Sequence, residues 1–345
     1  MSDVLRMIEN ILWSFAVVGI CYVIKCLSRA SLLHYNLKMI LINMSIGLLG
    51  YGCSRLATNT DSITCYFHIK QQNVIYRTSM LITKIYFVAS LFIMMFCFLM
   101  LTVERTVATF VPERYEQMKK TGKGFCVFVL FWAISFVASI MLNLFWQMIN
   151  PPRMDDDPLG SSFLLNTNTE FMLVIVYAAI AVNGANGVLV CFLYSHNKKR
   201  RIQLDRSKLN VRYQYSENIA TTRLLLALTG NCFAAACVAA MLISFYYAAR
   251  RKGLMSDPDL MFIEKSFHVL ASIYAIFYNI VFLAMHRPNR DQLVRDVRRL
   301  TCSQRQTSVV SLRSQVKSIE GHRLSFKNEG TVYFNYLSQQ WNAKQ

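Results

Sequence analysis

The sequence predicts an all-α membrane protein, a seven-transmembrane helix bundle with its N-terminus outside the membrane and its C-terminus inside. Three observations support this fold. Seven apolar stretches divide the chain, the segments between them are short, and the basic residues of those segments fall mainly on alternate sides. With 54% hydrophobic and 16% charged residues among 345, the composition favours one polytopic bundle over a soluble domain with a single anchor.

Each apolar stretch is interpreted as one membrane-spanning helix, because a hydrocarbon core about 30 Å thick needs about 20 helical residues. Five of the uncharged runs reach that length or come within a residue of it. The first two runs are shorter, but Lys25, Lys38 and Arg55 lie at their ends, where long side chains can carry their charge to the headgroups. The predicted spans cover about residues 8–27, 35–57, 79–103, 124–148, 170–194, 222–248 and 262–286.

The orientation follows from the distribution of the 37 Lys and Arg residues. With the N-terminus outside, 27 of them fall on the cytosolic side and nine on the outer side, while Lys84 lies within the third span. Cytosolic segments normally carry this excess of positive charge. The net charge of +18 is therefore explained by the anionic inner leaflet, and we expect no nucleic-acid partner.

Residues 1–300 are predicted to form the seven-transmembrane domain and residues 301–345 a cytosolic, largely disordered tail, because the tail is rich in Ser, Gln and charge. Within residues 289–300, Leu and Val alternate with Arg at helical spacing, which indicates a short amphipathic helix on the membrane surface. Cys302 follows this helix and is a candidate for lipidation by palmitoylation.

Two charged motifs lie at the predicted cytosolic ends of helices. The third span ends in Leu101-Thr-Val-Glu-Arg-Thr-Val-Ala-Thr109, followed by Tyr115-Glu116, and the loop before the sixth span reads Leu209-Asn-Val-Arg-Tyr-Gln-Tyr-Ser-Glu-Asn218. Taken alone, the first motif is a helix-end charge pair that costs little where the helix leaves the hydrocarbon. The second is equally consistent with a solvated amphipathic extension.

Together the two motifs resemble those of the nematode serpentine chemoreceptors of the Sra superfamily, with class epsilon and class alpha-beta closest. This resemblance implies a G-protein-coupled receptor for environmental small molecules, located in the plasma membrane of sensory neurons, where cilia are the expected site. It also implies that the motif residues face a heterotrimeric G protein. The predicted G-protein-facing residues are Glu104, Arg105, Arg212, Tyr213 and Glu217.

A ligand pocket is predicted at the outer ends of the helices. Lys84 lies about 30 Å along its helix from Glu104, and Glu264 and His268 are four residues apart on one face of the seventh helix. Lys84 and Glu264 could approach each other across the bundle, although Lys84 could instead only extend to the headgroups. The predicted ligand-binding residues are Lys84, Tyr86, Asn143, Trp146, Gln147, Tyr246, Glu264 and His268. Aromatic belts at membrane interfaces contain the same residue types.

Four amides are predicted to form an inner polar layer. Asn43, Asn186, Asn231 and Asn279 all lie roughly 9–14 Å from the cytosolic ends of their spans, at about 1.5 Å per residue. Amides are costly in lipid, so they are expected to face inward and find partners. The layer could act as a bistable element, or each amide could simply satisfy a neighbouring carbonyl.

Other function classes fit the sequence less well. The six histidines are scattered over both faces, so we expect no metal site, no cofactor and no catalytic activity. A small-molecule transporter stays open, because Asn183-Gly-Ala-Asn-Gly187 could interrupt the fifth helix as in discontinuous transporter helices. A ligand-gated odorant channel also has seven spans, but its N-terminus lies inside.

Overall fold

Eight helices follow one another along the part of the chain that the structure describes. The computed structural model describes residues 2–30, 34–66, 74–111, 115, 123–149, 169–203, 209–285 and 287–301, and at several helix ends only the backbone is described. The helices are α1 (Ser2–Arg29), α2 (Tyr35–Tyr66), α3 (Val74–Phe110), α4 (Lys123–Ile149), α5 (Thr169–Gln203), α6 (Leu209–Lys252), α7 (Asp257–Met285) and α8 (Arg287–Thr301).

The first seven helices form the predicted seven-transmembrane bundle. Six of them contain apolar segments long enough to cross a membrane, whereas the apolar part described for α4, Val127–Leu142, is shorter. The predicted fold class is confirmed. Apolar runs of this length form helices in a membrane because a helix satisfies the hydrogen bonds of all its backbone groups internally. Every helix is longer than its predicted span, because polar residues continue the helix beyond the hydrocarbon.

Helix α3 has the largest number of neighbouring helices in the described bundle. Helix α1 packs against α2 and α7, α7 packs against α6, and α6 packs most extensively against α5. Helix α3 contacts α2, α4, α5 and α6, so it is the only helix of the described ranges that reaches four neighbours closely. Helix α3 therefore lies between the helices on both sides of it.

Small residues allow close approach between α1 and its neighbours. A Cβ atom on Gly52 would lie 2.7 Å from Cε3 of Trp13, and one on Gly19 would lie 2.5 Å from Nδ2 of Asn279. Both contacts are closer than a real Cβ atom tolerates, and because the Trp13 ring is rigid, Gly52 is required for α1 and α2 to pack this tightly. Tight packing of this kind is what holds helices together in lipid, where burial from water supplies no driving force.

Two details differ from the sequence prediction. Helix α5 is continuous over Thr169–Gln203, so the interruption suggested for Asn183–Gly187 is wrong. Within this continuous helix, Asn183 Nδ2 donates to the Ala179 carbonyl oxygen of the preceding turn at 2.9 Å. The extension of Arg55 to the headgroups is also wrong, since its side chain is buried in the bundle.

The chain divides into two compact units, residues 1–296 and 297–345. In the first unit α8 contacts α1 through Asp296, whose Oδ2 accepts a hydrogen bond from the Tyr22 hydroxyl at 3.0 Å. The amphipathic helix predicted after the seventh span is present as α8, and its Val294 is exposed. Cys302 and the tail of residues 302–345 lie outside the described residues.

Candidate functional site

A buried network joins α3 to α6 at their predicted cytosolic ends. Arg105, whose side chain is 2% exposed, donates from Nε to Oε2 of Glu104 at 2.5 Å and from Nη2 to Oε1 at 2.6 Å. Its Nη1 donates to Oγ1 of Thr221 at 2.6 Å and to Oδ1 of Asn218 at 3.3 Å. The planar guanidinium thus holds a carboxylate of its own helix on one side and α6 on the other.

Tyr115 covers this network from the segment after α3. Its hydroxyl donates to Oε1 of Glu104 and accepts from Nη2 of Arg105 at 3.0 Å. The His34 ring, which precedes α2, lies 4.0 Å from the Tyr115 ring between centroids. Burial raises the pKa of Tyr115 well above its usual range, so the phenol stays protonated and remains a donor to the carboxylate.

Two amides extend the network, one to a backbone carbonyl and one to a threonine hydroxyl of α3. Asn218 Nδ2 donates to the Ala108 carbonyl oxygen at 3.0 Å, and Asn197 Nδ2, on α5, donates to Oγ1 of Thr109 at 3.0 Å. All four of these residues are buried. The end of α3 is therefore tied to both α5 and α6, and α6 can move away from α3 only if several charge-assisted bonds break together.

A second buried ionic group lies near the opposite ends of α1, α2 and α7. Arg55 donates from Nε to Oε1 of Glu9 at 2.9 Å and from Nη2 to Oε2 at 3.2 Å, and both side chains are buried. One turn further out, Asn59 Nδ2 donates to Oδ1 of Asn10 at 2.9 Å. A bidentate pair of this kind explains why an arginine is tolerated inside the bundle instead of at its surface.

Glu264 and His268 of α7 are buried in the same region, with exposed fractions of 2% and 1%. Lys265 is buried beside them. Within the described part of the chain, Oε1 of Glu264 and Nδ1 of His268 have no hydrogen-bond partner. Leaving such groups unpaired costs about 1–3 kcal/mol each, so these two atoms offer unused capacity to a polar group from outside the chain.

Comparison with known proteins identifies the family of this arrangement. The family model described as serpentine type 7TM GPCR receptor class ab chemoreceptor matches residues 1–317. The chain belongs to this family. A relative from Caenorhabditis elegans, "Probable G-protein coupled receptor F27E5.8", is 24% identical over 348 residues, covering 93% of this chain and 87% of the relative. Of the two classes suggested by the motifs, alpha-beta is the one that matches.

The inner network of this class ab chemoreceptor contains some of the predicted G-protein-facing residues. Glu104 and Arg105 are buried within it, and half-buried Glu217 acts on Arg105 through its charge. The side chains of Arg212 and Tyr213 lie outside the described residues. Sequence reasoning gave no role to Asn218 and Thr221, although their spacing of three residues places them on one face of a helix.

The predicted ligand-binding residues of this chemoreceptor fall into two groups. Glu264 and His268 lie on α7, which packs against α1 and α6. Half-buried Lys84 lies on α3 close to Tyr86, whose ring stacks on Trp132 and Phe136 of α4 at centroid distances of 6.1 and 6.0 Å. Tyr246 is buried on α6, and the side chains of Asn143, Trp146 and Gln147 on α4 are outside the described set.

Two of the four predicted inner amides have hydrogen-bond partners in the described structure. Asn279 Nδ2 donates to the Ala16 carbonyl oxygen of α1 at 3.0 Å, and Oδ1 of Asn43 accepts from Nε1 of Trp132 on α4 at 3.2 Å. In the described structure, Nδ2 of Asn186 and Nδ2 of Asn231 have no partner. Asn43 Nδ2 also donates to the Met39 carbonyl oxygen of its own helix at 2.9 Å, and none of these bonds links two of the four amides to each other.

Proposed function

We propose that this protein is a G-protein-coupled chemosensory receptor of the plasma membrane, in sensory neurons and their cilia. It binds an environmental small molecule at the outer ends of its helices and activates a cytosolic heterotrimeric G protein. Membership of the class ab chemoreceptor family and a relative named as a probable G-protein coupled receptor support this proposal.

The observation that carries the proposal is the buried contact of Arg105 with Asn218 and Thr221. It joins α3 to α6 at the end where both motifs of the family lie. We call this arrangement, in which Arg105 is buried and bonded to α6, the closed state. In the closed state Arg105 cannot contact a G protein. Opening the network would expose Arg105 and Glu104 and separate α6 from α3, which creates a cytosolic cleft for the G protein.

The length of α6 gives a physical means of opening. Its 44 residues extend about 66 Å at 1.5 Å per residue, roughly twice the hydrocarbon thickness. A rigid helix of this length converts a small tilt at the outer end into a larger displacement at the inner end. Ligand contacts that differ between the two tilts would shift the population of open receptors.

The ligand is proposed to contact the unpartnered Glu264 Oε1 and His268 Nδ1, with Lys84, Tyr86 and Tyr246 supplying further surface. Between this region and the inner network lie the contact of the Tyr278 hydroxyl with Ser45 at 2.9 Å and the bond of Asn279 to α1. Displacement of α7 by a ligand would disturb both contacts and the α6–α7 packing. We propose that α7 transmits the displacement to α6 through their direct packing.

Calcium imaging tests the proposed function. Cells that express the receptor are exposed to a panel of volatile and soluble cues, with and without a blocker of heterotrimeric G proteins. We expect at least one cue to raise calcium only in receptor-expressing cells and only without the blocker. A ligand-gated current that survives the blocker would reject G-protein coupling and favour the channel interpretation.

A further inference from the structure

The cytosolic end of α5 carries three neighbouring cations, Lys198, Lys199 and Arg200. All three side chains are exposed, and none has a partner within the described structure. The comparable run on α6, Arg250–Lys252, differs because Nη1 of Arg251 donates to the Tyr247 hydroxyl at 3.1 Å. The cations of α5 are therefore free to contact a group that does not belong to this chain.

The opposite face of α5 fixes the direction in which these cations point. Val190 and Leu193 are fully buried, and buried Asn197 is bonded to Thr109 of α3. These residues follow one another at helical spacing, so they define the face that packs inside the bundle. The remaining side of this helix end is consequently turned outward, towards lipid and the membrane surface.

An apolar stripe leads along that outward side to the cations. Val188 and Phe192 are 73% and 54% exposed, and His196 and Lys199 continue the stripe at successive turns. The His196 ring lies 5.3 Å from the Phe110 ring of α3 and 6.0 Å from the Phe192 ring, between centroids. Lys199 is about 10 Å further along the helix than Phe192, so apolar and cationic groups are separated along the membrane normal.

We propose that this surface binds an anionic phospholipid of the cytosolic leaflet. The surface, named here the α5 lipid site, consists of Phe110, Phe192, His196, Lys198, Lys199 and Arg200. The phosphate groups of the lipid contact the three cations, and its acyl chains lie against Phe192 and Phe110. Basic clusters immediately cytosolic of a membrane span attract such headgroups electrostatically.

The continuity of the site with a lipid-facing stripe favours a phospholipid over an acidic protein surface. A protein would contact the cations from the cytosol and leave exposed Phe192 and Phe110 unused, whereas a phospholipid uses both parts. The site rests on the predicted cytosolic location of residues 198–223, and it requires neither the environmental ligand nor the G protein.

The test measures lipid retained by purified receptor in nanodiscs of phosphatidylcholine with a small fraction of phosphatidylinositol bisphosphate. Native mass spectrometry counts the bound lipids of each kind. We expect the wild-type receptor to enrich the bisphosphate lipid. Each removed charge near the surface should weaken binding about fivefold, so Lys198→Gln, Lys199→Gln and Arg200→Gln together should lower the enrichment at least about tenfold.

The matched control is the triple variant Arg250→Gln, Arg251→Gln and Lys252→Gln. It removes the same charge from the predicted outer end of α6, which lies on the opposite side of the membrane from the α5 lipid site. We expect this control to change the enrichment by less than about twofold. Equal loss from both triple variants, or no loss from the α5 variant, would overturn the site. If the α5 variant retains the lipid but no longer binds purified G protein, the lipid site is also rejected and the surface is assigned to a protein contact. Because lipid retention is measured without cue or G protein, its outcome is independent of the proposed signalling.

Discussion

At the scale of single residues, two buried arginines of this receptor are each paired with a buried glutamate. Glu9 and Arg55 satisfy each other across α1 and α2, and Arg105 satisfies Glu104 while it contacts α6. Removing one member of such a pair leaves an uncompensated charge, whereas removing both leaves an apolar contact. The two kinds of substitution therefore have opposite consequences.

Glu9 and Arg55 provide the first prediction. Glu9→Ala should lower the thermal stability of the purified receptor strongly, because an unpaired buried arginine costs about 3–5 kcal/mol. The double variant Glu9→Leu with Arg55→Leu should recover most of that loss. Thermal unfolding in detergent measures both. If Glu9→Ala unfolds at the wild-type temperature, the pair does not form inside the bundle.

Thr221 provides the second prediction, since it accepts a bond from Arg105 on the α6 side of the network. Thr221→Val keeps the shape and removes the acceptor, and a bond to a charged group contributes about 1.5–3 kcal/mol. The ratio of closed to open receptors should fall about tenfold or more, so basal G-protein signalling should rise at equal surface expression.

Thr222→Val is the matched control for this prediction. Thr222 is also buried, but within the described structure its Oγ1 has no hydrogen-bond partner. This variant should signal as the wild type does and be equally stable or slightly more stable. Equal basal activity of the two variants would show that the contact with Arg105 does not hold the receptor closed.

At the scale of helices, glycine positions determine how closely α1 approaches α2. Gly52 lies against the fully buried indole of Trp13, and that ring is itself packed on Tyr51 at 5.2 Å between centroids. A rigid ring between two helices cannot move away as a flexible side-chain end would. Any added methyl group must therefore separate the helices.

Gly52→Ala is the third prediction. Its Cβ would lie 2.7 Å from Cε3 of Trp13, so we expect overpacking to cost about 1–3 kcal/mol and to reduce surface expression. Gly230→Ala on α6 is the control, because a Cβ there meets nothing within 4 Å and alanine favours a helix by up to about 1 kcal/mol. A Gly52→Ala receptor as stable as the Gly230→Ala receptor would contradict the close α1–α2 packing.

The extent to which the sequence predicted these elements depends on how local each signal is. The seven helices were predictable because about 20 apolar residues specify a span wherever they occur. The burial of Arg55 could not be predicted in this way. An arginine near the end of a span has the same local sequence whether its side chain extends to the headgroups or pairs with Glu9, 46 residues away. Asn218 stood in a recognised motif, but its contact with the end of α3 is tertiary and left no periodic signal.

At the scale of the whole molecule, the asymmetry of charge and the position of the inner network point to the same orientation. The motifs that tie α3 to α6 lie at the ends where Lys and Arg are most frequent. If those ends face the cytosol, the network lies where a G protein can reach it. If they faced outward, Arg105 could not serve that role, so the proposed function depends on the orientation.

Epitope tags provide the fourth prediction. A tag after residue 2 should stain on unpermeabilised cells, whereas a tag at residue 205, between α5 and α6, should stain only after permeabilisation. The reason is the 27 to 9 bias of Lys and Arg towards the segments that include residue 205. A tag at residue 160, between α4 and α5, serves as an internal control and should behave as the tag at residue 2 does. Staining at residue 205 but not at residue 2 on intact cells would place the N-terminus inside, which rejects the receptor orientation and favours an odorant channel.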